Sequence, residues 1–118
     1  MKVIIAGCRN FTDYELLKEY ADKILQNVVQ RESIEIVSGG AKGADELGEL
    51  YAKERGFVLT RFPAEWDKYG RAAGPKRNEL MGDYADALIA FWDGKSRGTK
   101  HMIEYARKKG LLVRVKQI

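Results

Sequence analysis

The chain is predicted to fold as a single doubly wound α/β domain over residues 1–118, with about five parallel strands in the order 3-2-1-4-5 and four helices. Two observations predict this. Short apolar runs alternate with longer amphipathic stretches along the whole length, which implies a parallel sheet covered on both faces. Two of the strand-to-helix connections are also rich in glycine, Ser38 to Asp45 and Trp92 to Thr99. Right-handed crossovers then place strands one and four side by side at the sheet's switch point.

Val3 to Ala6 reads as the first strand, and Thr12 opens a helix with Glu15 three residues on, the pattern of a capping box. Tyr14, Leu17, Ala21, Ile24 and Val28 give that helix one apolar face. Ile34 to Val37 is the second strand. The helix after it runs from Ala44 to Arg55 and ends at Gly56, a residue suited to a left-handed cap. Phe57 to Phe62 is the third strand, followed by a long connection from Pro63 to Gly74 and a helix with Pro75 in its first turn. Ala87 to Phe91 is the fourth strand. A helix from about Thr99 to Lys109, opened by the Thr99 hydroxyl, stops at Gly110 before a fifth strand, Leu111 to Val115.

Composition narrows the chemistry. The 118 residues suffice for a modest core, and 45% hydrophobic with 32% charged residues is ordinary for a globular protein. One cysteine, Cys8, and one histidine, His101, exclude a disulfide framework and supply too few soft ligands for a structural metal, so no metal is expected. No apolar run approaches a membrane span, and Met1 to Ile5 leads directly into a strand. A cytoplasmic chain without a cleaved leader is therefore expected. The net charge of +4 is mild and shows no basic stripe, so nucleic acid is not expected as a partner; a homodimer is left open.

The loops after strands one, two and four converge at the C-terminal edge of such a sheet, where ligands bind. Gly7, Cys8 and Arg9 fall there, with Ser38, Gly39, Gly40, Gly43, Ala44 and Asp45, and with Asp93, Arg97, Gly98 and Thr99. A strand feeding a helix through glycines directs free N–H groups and the helix dipole at an anion, commonly a phosphate. Neither turn has the P-loop or the dinucleotide-binding fingerprint. Lys76, Arg77 and Asn78 at a helix start read as exposed phosphate contacts, since cations there oppose the dipole. Their pairwise truncation (Lys76→Ala/Arg77→Ala) is expected to lower affinity and leave stability alone. Arg71 and Trp66 lie on the long arm, which could fold over the opening. Trp66 either stacks on a base or packs the arm onto the sheet. Asp45 either accepts a ribose hydroxyl or favours its helix start. Cys8 reads as a buried thiol and His101 as a surface residue.

Taken together, Gly39-Gly40-Ala41-Lys42-Gly43-Ala44-Asp45, Phe62-Pro63-Ala64-Glu65-Trp66, Gly70 to Asn78 and Gly98-Thr99 resemble the YspA-like family of the SLOG superfamily. That superfamily also holds the DNA-processing protein DprA and the lonely-guy phosphoribohydrolases. The resemblance implies a Rossmann-like fold and a small phosphorylated nucleotide ligand of ADP-ribose or NAD type. It implies a sensor, carrier or sink, in bacterial or phage conflict. Two other readings stand beside it, a lonely-guy N-glycosidase and a DNA-binding protein. The lonely-guy motif ends in a catalytic glutamate, and here Met102 stands in that place. Glu104 lies about 200° further round the helix, so the resemblance implies binding without that hydrolysis.

Overall fold

The structure, a computed structural model, describes residues 1–28 and 33–118. Five parallel strands form one sheet in the order β3-β2-β1-β4-β5. They are β1 (Lys2–Gly7), β2 (Glu35–Ser38), β3 (Val58–Arg61), β4 (Ala87–Trp92) and β5 (Leu112–Gln117). The expected order is observed. In register, Gly7 at the end of β1 stands opposite Phe91 of β4, and Val37 of β2 opposite Ile4.

Alternation along the central strands divides the core in two. Val3, Ile5, Ile36, Ile89 and Phe91 pack beneath α1 (Tyr14–Leu25) and α2 (Ala44–Arg55). Ile4, Ala6, Val37, Leu88 and Ala90 face the other way. There α4 (Ala73–Tyr84) contributes Met81, and α5 (Arg97–Lys108) contributes Met102, Ile103 and Ala106. Each such valine, leucine, isoleucine, phenylalanine or methionine side chain contributes about 1.5–3 kcal/mol on burial, so both faces of β1 and β4 anchor the switch point.

Three local expectations need correction. Asp13, not Thr12, caps α1: its carboxylate accepts from the Leu16 N–H at 3.1 Å, while the Thr12 carbonyl accepts from Tyr14. Ser96, not Thr99, caps α5, which begins two residues before Thr99. The cause is Asp93, whose Oδ1 accepts from the N–H groups of Lys95 and Ser96 at 2.8 Å and turns the chain early. Finally, the connection from Pro63 to Gly74 is partly helical, with one turn, α3 (Trp66–Tyr69), and a 3-10 turn over Gly70–Ala72. Helix α2 ends as expected, with Gly56 at φ 72°.

Candidate functional site

A cleft opens at the C-terminal edge of the sheet, where β1, β2 and β4 end. It has two adjoining compartments of about 430 and 460 Å³. The first is lined by Gly7 and Arg9 from the end of β1, by Asp45 of α2, and by Arg77 and Asn78 of α4. Arg97, Gly98 and Thr99 complete it from the start of α5. The second is lined by Gly39, Gly40 and Lys42 of the first glycine turn and by Pro63 and Ala64 of the arm. Arg9, Ala41, Trp66 and Arg77 belong to both.

The first glycine turn is built differently from a simple phosphate cradle. The Gly40 N–H is taken by Ser38 Oγ at 3.0 Å, and the Ala41 N–H by Asp45 Oδ2 at 3.2 Å. The Ala44 N–H goes to the Cys8 carbonyl at 3.2 Å. An internal carboxylate thus occupies part of the turn. Asp45 is 5% exposed. Burial, more than any neighbour, raises its carboxyl to about pKa 6; the Ala41 N–H and the charges of Arg77 and Arg9 pull the other way.

Arg77 closes the turn from the opposite face of the sheet. Its Nη1 donates to the Gly39 carbonyl and its Nε to Asn78 Oδ1 at 3.0 Å, using two of five N–H donors. Burial also lowers the Arg77 pKa. At Asp45 desolvation outweighs the attraction of both arginines, while Arg77 keeps its charge. Asn78 in turn donates to the Gly98 carbonyl at 3.2 Å and shares a hydrogen bond with His101 Nδ1. One hydrogen-bonded chain therefore joins the first turn, α4 and the second turn.

Eleven of the residues expected from the sequence to hold ligand line the cleft, Gly39 and Gly40 in the second compartment and the rest as above. Seven do not. Ser38 is buried and donates to Glu49 Oε2 at 2.7 Å. Gly43 and Ala44 pack against the end of β1. Cys8 is buried beside Asp93 and Thr99, and burial raises its thiol pKa, so it stays protonated. Asp93 shapes its own loop, whose N–H groups lower its pKa. Arg71 is exposed on the arm, and Lys76 sits with its Nζ 4.8 Å from the Tyr69 ring.

His101, expected on the surface, is half-buried and lines the first compartment. Its spacing was the available signal: three residues after Gly98, it shares that residue's helix face. Trp66 is 50% exposed, so it walls both compartments rather than being packed onto the sheet.

The half-buried Arg77 and the exposed Lys76 should behave differently. Arg77→Ala is expected to lower stability by about 1–3 kcal/mol, because it strands the Gly39 carbonyl and the Asp45 charge. Lys76→Ala should stay within about 0.5 kcal/mol. Chemical denaturation of the two single variants checks this. Equal small effects would mean that Arg77 is not a tie between turn and helix.

The family model of the YspA, cpYpsA-related SLOG family matches residues 1–69. The Gene 61 protein of Mycobacterium phage D29 is 33% identical over 119 residues, covering 95% of this chain and 93% of that protein. The SPbeta prophage-derived protein YoqJ of Bacillus subtilis is 34% identical over 65 residues, 55% of this chain and 36% of YoqJ. The DNA processing protein A (DprA) of Streptococcus pneumoniae has a similar fold, with TM-score 0.74 and 20% identity. That likeness covers 97% of this chain and 49% of the DprA chain, so the chain spans nearly all of the phage protein and about half of DprA. Among the described residues no helix is long and apolar enough to cross a membrane. The model match over more than half of the chain, joined to the near full-length phage relative, shows that the chain belongs to the YspA, cpYpsA-related SLOG family.

Proposed function

We propose that residues 1–118 form one ligand-binding domain whose cleft holds a phosphorylated nucleotide or nucleotide-derived signal, of ADP-ribose or NAD type, as a sensor, carrier or sink. Family membership supports a nucleotide-related or DNA-processing function in general terms. The observation that carries the finer reading is Gly98. It lies in the first turn of α5 and lines the cleft, and nothing stands within 4 Å of where its Cβ would be. Its φ is not positive, so no backbone conformation asks for glycine here, and no packing contact does. A ligand approaching the helix start does. Arg9, Arg77 and Arg97 surround that space against one carboxylate, Asp45.

Binding without turnover is the better reading. Met102 is 1% exposed and belongs to the core where the lonely-guy enzymes carry glutamate. The reading of a nucleic-acid partner has one observation in its favour, the exposed Trp66 beside the cleft's cations, and the fold neighbour is itself described as a DNA processing protein.

A thermal-shift series tests the proposal. At a hundredfold excess over Kd, ADP-ribose should stabilise the folded state by about 2.7 kcal/mol and raise the melting temperature by on the order of 10 °C. Adenosine should not. Gly98→Val should abolish the shift with little change in the unliganded melt, and chromatography should find no adenine released from AMP. If adenosine matches the phosphorylated ligands, phosphate is not what the cleft recognises.

A further inference from the structure

Asn78 decides which nitrogen of His101 holds the proton. Its side chain is buried, at 7% exposure, and makes three hydrogen bonds. Oδ1 accepts from Arg77 Nε at 3.0 Å, and Nδ2 divides its two hydrogens between the Gly98 carbonyl and His101 Nδ1, both at 3.2 Å. A guanidinium Nε–H only donates and a carbonyl only accepts, so these two partners fix which way the amide points. His101 Nδ1 must therefore accept, and the neutral ring carries its proton on Nε2. A second proton, on Nδ1, sets donor against donor. Turning the amide over exchanges one conflict for two, because Oδ1 would then meet the Gly98 carbonyl oxygen and Nδ2 the Arg77 N–H. No orientation of Asn78 satisfies Arg77, Gly98 and an imidazolium together.

The geometry points to His101 as a protonation switch on the first compartment: a proton on Nδ1 detaches Asn78 and unties the start of α5 from α4. The neutral ring holds the second turn, with Arg97 and Gly98, against Arg77; the imidazolium releases it. Acid therefore loosens the wall that presents Arg97 and Gly98 to the cleft, whatever the cleft holds. Charged groups face the ring from several elements. Glu79 Oε2 on α4 lies 3.8 Å from Nε2 and attracts a charged ring, as does Asp45 of α2 across the compartment. Arg9, Arg77 and Arg97 line the same compartment and repel it. Tyr105, one turn along α5, has its ring centroid 6.2 Å away.

His101 is the one histidine in the chain, so nitrogen NMR can follow its ring alone. At about pH 8 the proton should sit on Nε2. On the way to about pH 5 the ring should take its second proton. The Asn78 side-chain amide should then lose about tenfold or more of its protection from hydrogen exchange, along the same curve, the worth of one hydrogen bond. Asp45 titrates nearby, at about 6, and acts electrostatically on Arg77, so two variants separate the sources. His101→Gln offers Asn78 a carbonyl that never ionises and should keep the protection at both ends of the range. Asp45→Asn should lose it as wild type does. A proton on Nδ1 at the higher pH, a ring that stays neutral at the lower, or protection that ignores the ring's titration overturns the switch. So does a loss that persists in His101→Gln or disappears in Asp45→Asn. Should His101→Gln not fold, Asp45→Asn decides.

Discussion

Gly43→Ala unfolds the protein or costs it more than about 4 kcal/mol, whereas Gly40→Ala costs on the order of 1 kcal/mol, although both glycines belong to the same turn. Both have positive φ, 80° at Gly43 and 73° at Gly40. Their surroundings separate them. A Cβ on Gly43 would overlap the carbonyl oxygens of Cys8 and Arg9, and those are backbone atoms that cannot swing away. A Cβ on Gly40 would meet nothing within 4 Å. Gly43 also precedes the Ala44 N–H, which donates to the Cys8 carbonyl at 3.2 Å. Next to it, a Cβ on Gly7 would overlap the Phe91 carbonyl and come 2.8 Å from Ala44 Cβ. Helix α2 therefore starts in direct contact with the end of β1, and β1 with β4. Any side chain at position 43 forces these apart and removes hydrogen bonds at the centre of the sheet edge. Urea denaturation of the two alanine variants measures the contrast. Comparable small losses would show that the helix start tolerates displacement and that Gly43 faces open space.

That pair also shows where the sequence is legible and where it is not. Strand order followed from apolar runs and glycine stops because Val3 to Ala6 and Leu88 to Phe91 are buried on both faces, which only a central parallel strand requires. Gly56 announced the end of α2 because a left-handed residue after a helix is a local matter. The loops of the cleft converged as expected for the same topological reason. Gly40 and Gly43, by contrast, are indistinguishable in the sequence: one is glycine for its φ alone, the other also for a contact with residues about 35 positions away. Asp45 shares this limit. Its helix start was legible, but its interaction with Arg77, from a helix on the other side of the sheet, depends on the tertiary fold. The helical turn Trp66–Tyr69 was missed because one turn is too short to show a 3.6-residue period.

Asp45→Asn is expected to stabilise the protein at pH 8 by about 2 kcal/mol and to change it little near pH 4. The folded carboxyl titrates at about 6 against an ordinary value of 3.8. Between those values the folded state holds a proton that the unfolded chain has released, so stability falls as pH rises through that window. Above it the full cost of the buried charge, about 3 kcal/mol, is present. Asparagine keeps an oxygen that can accept the Ala41 N–H but never ionises. It loses the attraction of Arg77 and Arg9, which burial already outweighs at this carboxyl. Melting curves of both proteins at pH 4 and pH 8 provide the measurement, with the variant ahead by roughly 5–10 °C only at the higher pH. A variant less stable than wild type at pH 8 would mean that the Asp45–Arg77 pair contributes net stability and that the carboxylate is explained by structure alone. The expected result separates stability from function instead. On the proposed reading, a carboxylate kept charged at neutral pH, at a net cost, on the wall of a cleft lined by arginines serves what the cleft binds. The same variant should then lose affinity for ADP-ribose while gaining stability, because a neutral amide is a poorer acceptor for a ribose hydroxyl than a carboxylate.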